Sequence, residues 1–198
     1  MAEAEDLKSL QCRFDPDRGY KGDNMNIFVV NTDPEKAARE LCDKHVPKMT
    51  LESVQMLVSA LRRHGATDND VPLTSKGTPH KGGYSNHPST VWAGESLDNF
   101  NWLLDHAVAL ADEYTYRFGK EHACERQLYH VDEMKSFIPK GKLTDIALCV
   151  GEKLQNKYGF THAPIDTATE VYIEFYLEDK ASFAKWDKGR SAPNWWSS

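Results

Sequence analysis

Four polar side chains recur through the stretch CDKHVPKMTLESVQML, Cys42 to Leu57: His45, Lys48, Glu52 and Gln55, three or four residues apart. On a helix this spacing puts them on one face, which Ser59 and Arg62 continue. A carboxylate beside a lysine and a histidine can hold or move a proton, so Glu52 is a candidate general base and His45 a candidate proton donor. A solvated helix face has the same spacing, with Lys48 and Glu52 as an ordinary surface pair. Pro47 falls inside the stripe, where it removes a backbone donor. It implies either a kink or a second helix start, with backbone groups left to meet a ligand.

Two further segments carry similar chemistry. KGTPHKGGYSNHP, Lys76 to Pro88, places two lysines, two histidines and three glycines ahead of a helix start. Glycines let a backbone approach a ligand, and a helix N-terminus favours anions. The stretch matches neither GxxxxGK[ST] nor GxGxxG, and a flexible surface loop would read the same way. In DEYTYRFGKEH, Asp112 to His122, Arg117 is suited to a phosphate or carboxylate and Tyr114 or Tyr116 to stacking on a base. A plain Glu113–Arg117 surface pair is the other reading. Near the C-terminus, Trp186, Lys188, Arg190, Trp195 and Trp196 interleave aromatic and basic character, fitting either nucleotide stacking or a tail docked on the core.

Metal ligation has no motif behind it: there is no HExxH and no CxxC. His45, His87 and His122 with Glu52, Asp112 or Glu113 would have to converge from separate helices, as in bundle metal sites. No metal and no cofactor are expected. The candidate ligand-binding set is His45, Lys48, Glu52, His87, Trp92, Asp112, Tyr114, Arg117 and His122.

The elements that must position these residues are mostly helical. MNIFVVN, Met25 to Asn31, reads as a short strand. A helix then starts with Thr32 or Asp33 as cap and Pro34 in its first turn. The apolar series Leu51, Val54, Leu57, Val58 and Leu61 carries a helix to Gly65. Residues 66–87 form a long turn-rich loop of a length that is often functional. The next helical region begins near Pro88 and ends at Gly119, and further helical patterns cover 121–136, 143–158 and 167–186. The tail is not helical. The expectation is a mainly α, single-domain helical bundle over residues 25–198 with one short N-terminal β element.

Residues 1–24 differ, being polar with an Asp-Pro-Asp run, and read as a disordered leader or an N-terminal arm. Lys21-Gly22-Asp23 can be encoded by a purine-rich string like a ribosome-binding site, so Met25 is a candidate natural start.

The chain has 198 residues, 40% of them hydrophobic and 27% charged, with a net charge of −6. That suits one buried core in a soluble domain. An acidic balance disfavours a general DNA-coating role, because phosphate neutralisation dominates such binding, though local basic patches stay open. Four scattered cysteines with no CxxC pair fit a reducing, cytoplasmic setting. No apolar run is long enough to span a bilayer, and the acidic N-terminus lacks the apolar core of a secretory signal.

MNIFVVNTDPEKAA, CDKHVPKM-LES-QML, NHPSTVWAGES-NF-WL, DEYTYRFGKEH and the ending FAKW-KGR-P-WW together resemble a family of uncharacterised tailed-phage proteins. The resemblance runs from Met25 nearly to the C-terminus and implies a setting, the cytoplasm of an infected bacterial host, without catalytic residues to carry over. It departs at Pro47, where the pattern has an apolar residue. With this context, the leading expectation is a phage accessory protein, a candidate homo-oligomer, that binds a phosphorylated nucleotide-like small molecule between its helices. It would sequester a host defence signal. The alternative is an enzyme of glycosylase or hydrolase type acting on a nucleotide or a DNA base, with Glu52 or Asp112 as base, His45 or His87 as donor and Arg117 as anion stabiliser. In the binding reading Tyr84, Trp92 or Tyr114 would hold a base or ribose; in the enzyme reading a base in a duplex would have to be flipped out onto stacking residues.

Overall fold

The computed structural model describes residues 25–196, so the leader 1–24 and Cys12 lie outside the described residues. Seven α-helices occur among them: α1 Pro34–Glu40, α2 His45–Arg63, α3 Pro88–Glu95, α4 Leu97–Phe118, α5 Glu125–Glu133, α6 Glu152–Tyr158 and α7 Ile165–Asp179. Long α2 and α4 form the central pair, with α1 against α4 and α3 against both. The helices pack as one bundle. Among the described residues, no helix is long and apolar enough to cross a membrane.

Local chemistry sets the helix ends. Asp33 caps α1 by accepting the Glu35 and Lys36 N–H groups, each at 3.0 Å, with Pro34 in the first turn. Ser96 caps α4 through the Asn99 N–H at 3.1 Å. At the far end of α4, Gly119 takes φ +67, the left-handed stop that glycine adopts without strain. Pro47 sits in the first turn of α2, where a missing N–H leaves no intrahelical bond unmade. The proline therefore marks a helix start at His45, and the kink alternative is not realised.

The β element lies away from the expected place. Met25–Val30 is buried but unpaired, and the two strands are β1 Ile146–Ala147 and β2 His162–Ala163, antiparallel with Ile146 opposite Ala163. The local reason is the Asn26 side chain, whose Oδ1 accepts the Ile27 and Phe28 N–H groups at 2.8 and 3.2 Å. Phe28 then turns the chain at φ +54, and Val30 N–H closes on the Phe28 carbonyl. Backbone groups spent on this knot are not available to a neighbouring strand. The helical pattern over 143–158 is also cut short: only Glu152–Tyr158 is helix, and β1 occupies the earlier part.

The second half of the chain closes over the first. Tyr172 of α7 donates its hydroxyl to the Ala147 carbonyl and accepts the Cys149 N–H, each at 3.0 Å. Tyr176 accepts the Cys42 N–H at 3.0 Å, at the corner before α2. Trp186 and Trp195 both reach Glu40, through its carbonyl and its carboxylate, so the tail docks on the core.

Candidate active site

Glu52 lies on α2 one turn beyond Lys48, and Asn26 is carried to it by the knotted segment Met25–Val30. The main-chain nitrogen of Asn26 donates to Glu52 Oε2 at 3.3 Å, and Lys48 Nζ lies 3.4 Å from Oε1. Glu52 is 8% exposed. Burial pushes its carboxyl above the ordinary range, while the Lys48 charge and the Asn26 N–H pull the other way. The result is a buried carboxyl held above its ordinary range, with the Lys48 amine at its side. Asn26 is itself clamped from the far half of the chain, since its Nδ2 donates to the Cys149 carbonyl at 2.7 Å.

The wall beside Asn26 comes from the start of α3. His87 caps that helix, its Nδ1 accepting the Ser89 N–H at 3.2 Å. The Ser89 hydroxyl meets Cys149 Sγ at 3.3 Å, and the Thr90 hydroxyl meets Met25 Sδ at 3.6 Å. Burial lowers the His87 pKa, so the ring is a neutral cap.

His45 shares a turn with Lys48 but turns inward. Its ring stacks on Phe28 at 4.6 Å, and its Nδ1 lies 2.7 Å from the Tyr176 hydroxyl. That hydroxyl also accepts the Cys42 N–H at 3.0 Å, and the direction of its bond to His45 follows the imidazole tautomer. Burial, then the charges of Lys48, Lys180 and Lys44, lower the His45 pKa to about 3. A buried, neutral His45 ring braces the Asn26 segment through Phe28; with its pKa lowered to about 3 it is not a ready proton donor at neutral pH.

The remaining expected residues do not gather around Glu52. The guanidinium of Arg117 is fully buried and grips the α1–α2 corner: the Leu41 and Arg39 carbonyls and Asp43 at 2.9 Å, and Glu113 at 2.6 Å. Arg190 from the tail completes the network on Glu113 at 2.7 and 2.8 Å. Burial alone would raise the Glu113 carboxyl, but hydrogen bonds from Arg190 and Arg117 outweigh it and hold the group below the ordinary range. His122 Nδ1 accepts the Cys124 N–H at 3.2 Å, and the ring packs edge-on against Tyr114 at 4.8 Å. Trp92 is a core residue whose Nε1 donates to the Thr144 carbonyl at 3.3 Å. Asp112 lines a separate groove with Glu35, Arg39, Tyr116 and Arg190. Among the described residues, no His, Cys, Asp or Glu group has a metal-holding arrangement.

Beyond Glu52 the α2 face continues through Gln55 and Ser59 to Arg62 and Arg63. There a groove of about 340 Å³ is lined by Ser59, Arg62, Arg63, Lys81, Ser85 and Asn86. Arg62 holds the loop through the His80 carbonyl at 2.9 Å and Asp68 at 2.7 Å. Arg63 contacts the Ser85 carbonyl and Lys81 pairs with Asp68, both side chains standing in solvent. The stripe thus runs from a buried carboxyl to a cationic groove. Asn26 and the Cys149 carbonyl are the site components that spacing did not reveal.

A family model for pyrimidine dimer DNA glycosylase matches residues 25–126. The chain belongs to that family. The match spans just over half of the sequence and holds Asn26, Lys48, Glu52, His87 and the cationic groove together. No curated protein and no solved structure matches the chain. Membership in the pyrimidine dimer DNA glycosylase family corrects two expectations. The segments read as an uncharacterised tailed-phage family, from MNIFVV to the start of α5, fall within this model. Sequestration of a nucleotide-like host defence signal gives way with it, since the family is one of DNA base excision. The overall acidic charge weighs only against general DNA coating and is compatible with a local basic cluster such as Arg62, Arg63 and Lys81.

Proposed function

We propose that this protein is a DNA glycosylase that excises a base of a pyrimidine dimer, with Glu52 as the carboxyl at the reacting sugar. The observation that carries this reading is the Glu52 carboxyl, buried, flanked by Lys48 and 3.3 Å from the Asn26 nitrogen, at the end of a stripe leading to cations. Breaking the bond from C1′ to the pyrimidine nitrogen builds positive charge on the sugar, which a nearby carboxylate stabilises. The bonding pair leaves with the base. Water adds its oxygen to C1′, and its proton passes to Glu52 and on to the departing base. The reacting nucleotide has to leave the stack first, and a damaged step is cheaper to open.

The Asn26 contact also favours a second mechanism. If translation begins at Met25 and that residue is trimmed, the nitrogen beside Glu52 is an α-amine, which ordinarily titrates near ~7.7–8.0. Such an amine can attack C1′ as the base leaves with the bonding pair, its proton passing to Glu52 and on to the base. The C1′–O4′ bond then opens, and O4′ takes up the second amine proton. Water hydrolyses the resulting imine to the free amine and a ring-opened sugar aldehyde.

The test is a duplex carrying one pyrimidine dimer, incubated with the full chain and with a chain beginning at Asn26, each with and without borohydride. Strand scission after alkali shows excision. A borohydride-trapped protein–DNA adduct with the trimmed chain assigns the amine route, and excision without an adduct assigns water. Failure of both chains to release a base overturns the proposed function.

A further inference from the structure

Tyr84 stands at φ +52, in the left-handed region that residues with side chains rarely hold, and is 39% exposed. The loop carrying it is pinned at both ends. Gly82 and Gly83 lie directly on α2: a Cβ on Gly82 would meet Ser59 Oγ at 2.2 Å, and one on Gly83 would meet the Gln55 side chain at 3.3 Å. Ser59 and Gly83 also exchange hydrogen bonds, Gly83 N–H to Oγ at 2.8 Å and Oγ to the Gly83 carbonyl at 2.9 Å. On the other side the Tyr84 carbonyl accepts the His87 N–H at 2.8 Å, where α3 begins.

These anchors place Tyr84 at the border of the site. Gln55 is one helical turn from Glu52 on the same face. The α3 turn that follows His87 carries Ser89 and Thr90, which contact Cys149 and Met25. Lys81, Ser85 and Asn86, the loop neighbours of Tyr84, line the groove that holds Arg62 and Arg63. A half-exposed aromatic residue thus follows the Gly82–Gly83 anchor on α2 and sits next in sequence to the residues lining the cationic groove, on a backbone its anchors keep in a costly conformation.

We propose that Tyr84 is a specificity-determining residue that stacks on a base at the damaged step, with Arg63 and Lys81 on the adjoining phosphates. This rests on the glycosylase reading. Excision requires an unstacked base, and an aromatic face held in place loses little freedom when it receives one. Phosphate contacts are blind to damage, so the aromatic contact is the one that separates damaged from intact duplex.

The experiment compares Tyr84→Gly and Tyr84→Phe with the parent, as full chains, for affinity to a duplex bearing one pyrimidine dimer and to its undamaged twin. Tyr84→Gly is expected to lose about 5- to 150-fold on the dimer duplex and nothing on the undamaged one, while Tyr84→Phe keeps both affinities. Glycine accepts a positive φ without strain, so Tyr84→Gly should unfold near the parent's temperature. If it unfolds early, Tyr84→Asn, which also tolerates that φ, decides on the same two duplexes. Unchanged dimer affinity in the stably folded variant, or equal loss on both duplexes, overturns the proposal. A parent that shows no preference for the dimer duplex overturns the glycosylase reading, and this inference with it.

Discussion

The main-chain nitrogen of Asn26 lies 3.3 Å from Glu52 Oε2, joining two residues 26 positions apart inside a buried site. Glu52→Gln keeps the shape and an oxygen to accept that N–H but removes the ionisable group. Base release from a dimer duplex should fall by about 10²- to 10⁴-fold. Stability should move the other way. Burial raises the Glu52 pKa, so the folded state holds its proton more tightly than the unfolded chain and carries a cost at neutral pH that Gln lacks. A thermal melt at pH 7 showing Glu52→Gln more stable than the parent, yet inactive, is the expected pair of results.

Lys48 sets the working pH of that carboxyl. Its charge opposes the desolvation of Glu52, so Lys48→Met should let the Glu52 pKa climb further. The acidic limb of the pH–rate profile for base release then moves to higher pH. A limb that stays in place would assign it to another group.

Arg117 is a structural residue on this geometry. Its removal leaves Glu113 and Asp43 short of a buried cation and frees the Arg39 and Leu41 carbonyls at the α1–α2 corner. Arg117→Met should cost about 3–5 kcal/mol in urea unfolding. Arg117→Lys should not restore it, since an ammonium cannot reach four partners in a fork.

Acid should destabilise the protein through two buried histidines. His45 and His106 have folded pKa values of about 3 and about 4, both lowered first by burial. The unfolded chain takes up protons near pH ~6.5 that the folded state refuses, so stability is lost as pH falls from there toward the folded values. Between pH 7 and 5 each histidine should remove about 2 kcal/mol, measured by urea unfolding at the two pH values. His106→Gln, which does not titrate, should reduce the loss between the two pH values by about 2 kcal/mol.

Arg63 and Lys81 stand exposed at the groove beside the Tyr84 loop. Arg63→Gln or Lys81→Gln should each weaken duplex binding whether or not the DNA is damaged. Each should reduce the slope of log affinity against log salt by about 1. Filter binding over a salt series measures it.

Much of the helical framework was legible in the residues themselves. Asp33 with Pro34, and Gly119, act within one turn of their own positions, so their chemistry reads directly as helix ends, whereas the Ser96 cap that divides α3 from α4 was not picked out of the Pro88–Gly119 pattern. The period of Leu51, Val54, Leu57, Val58 and Leu61 likewise marks the buried face of α2. The apolar run at Met25 misled, because burial on all sides looks the same in sequence whether or not a strand partner exists. Asn26, with a side chain that captures two backbone N–H groups, was the residue that argued against a strand.

The candidate site was legible only in part. Spacing put His45, Lys48, Glu52, Gln55, Ser59 and Arg62 on one helix, but periodicity is blind to what covers that helix. Phe28 and Tyr176 draw His45 inward, Asn26 closes on Glu52, and the Gly82–Gly83 backbone settles on Ser59 and Gln55. Similar spacing made Arg117 look like an anion grip, and the α1–α2 corner with Arg190 turned it into a buried tie. The sequence by itself determined the helices, their caps and the polar stripe, because these follow from contacts within a few residues. Which stripe residues are covered, and by what, was decided by the tertiary structure alone, through partners from 24 to 131 positions away, whose approach leaves no local signature.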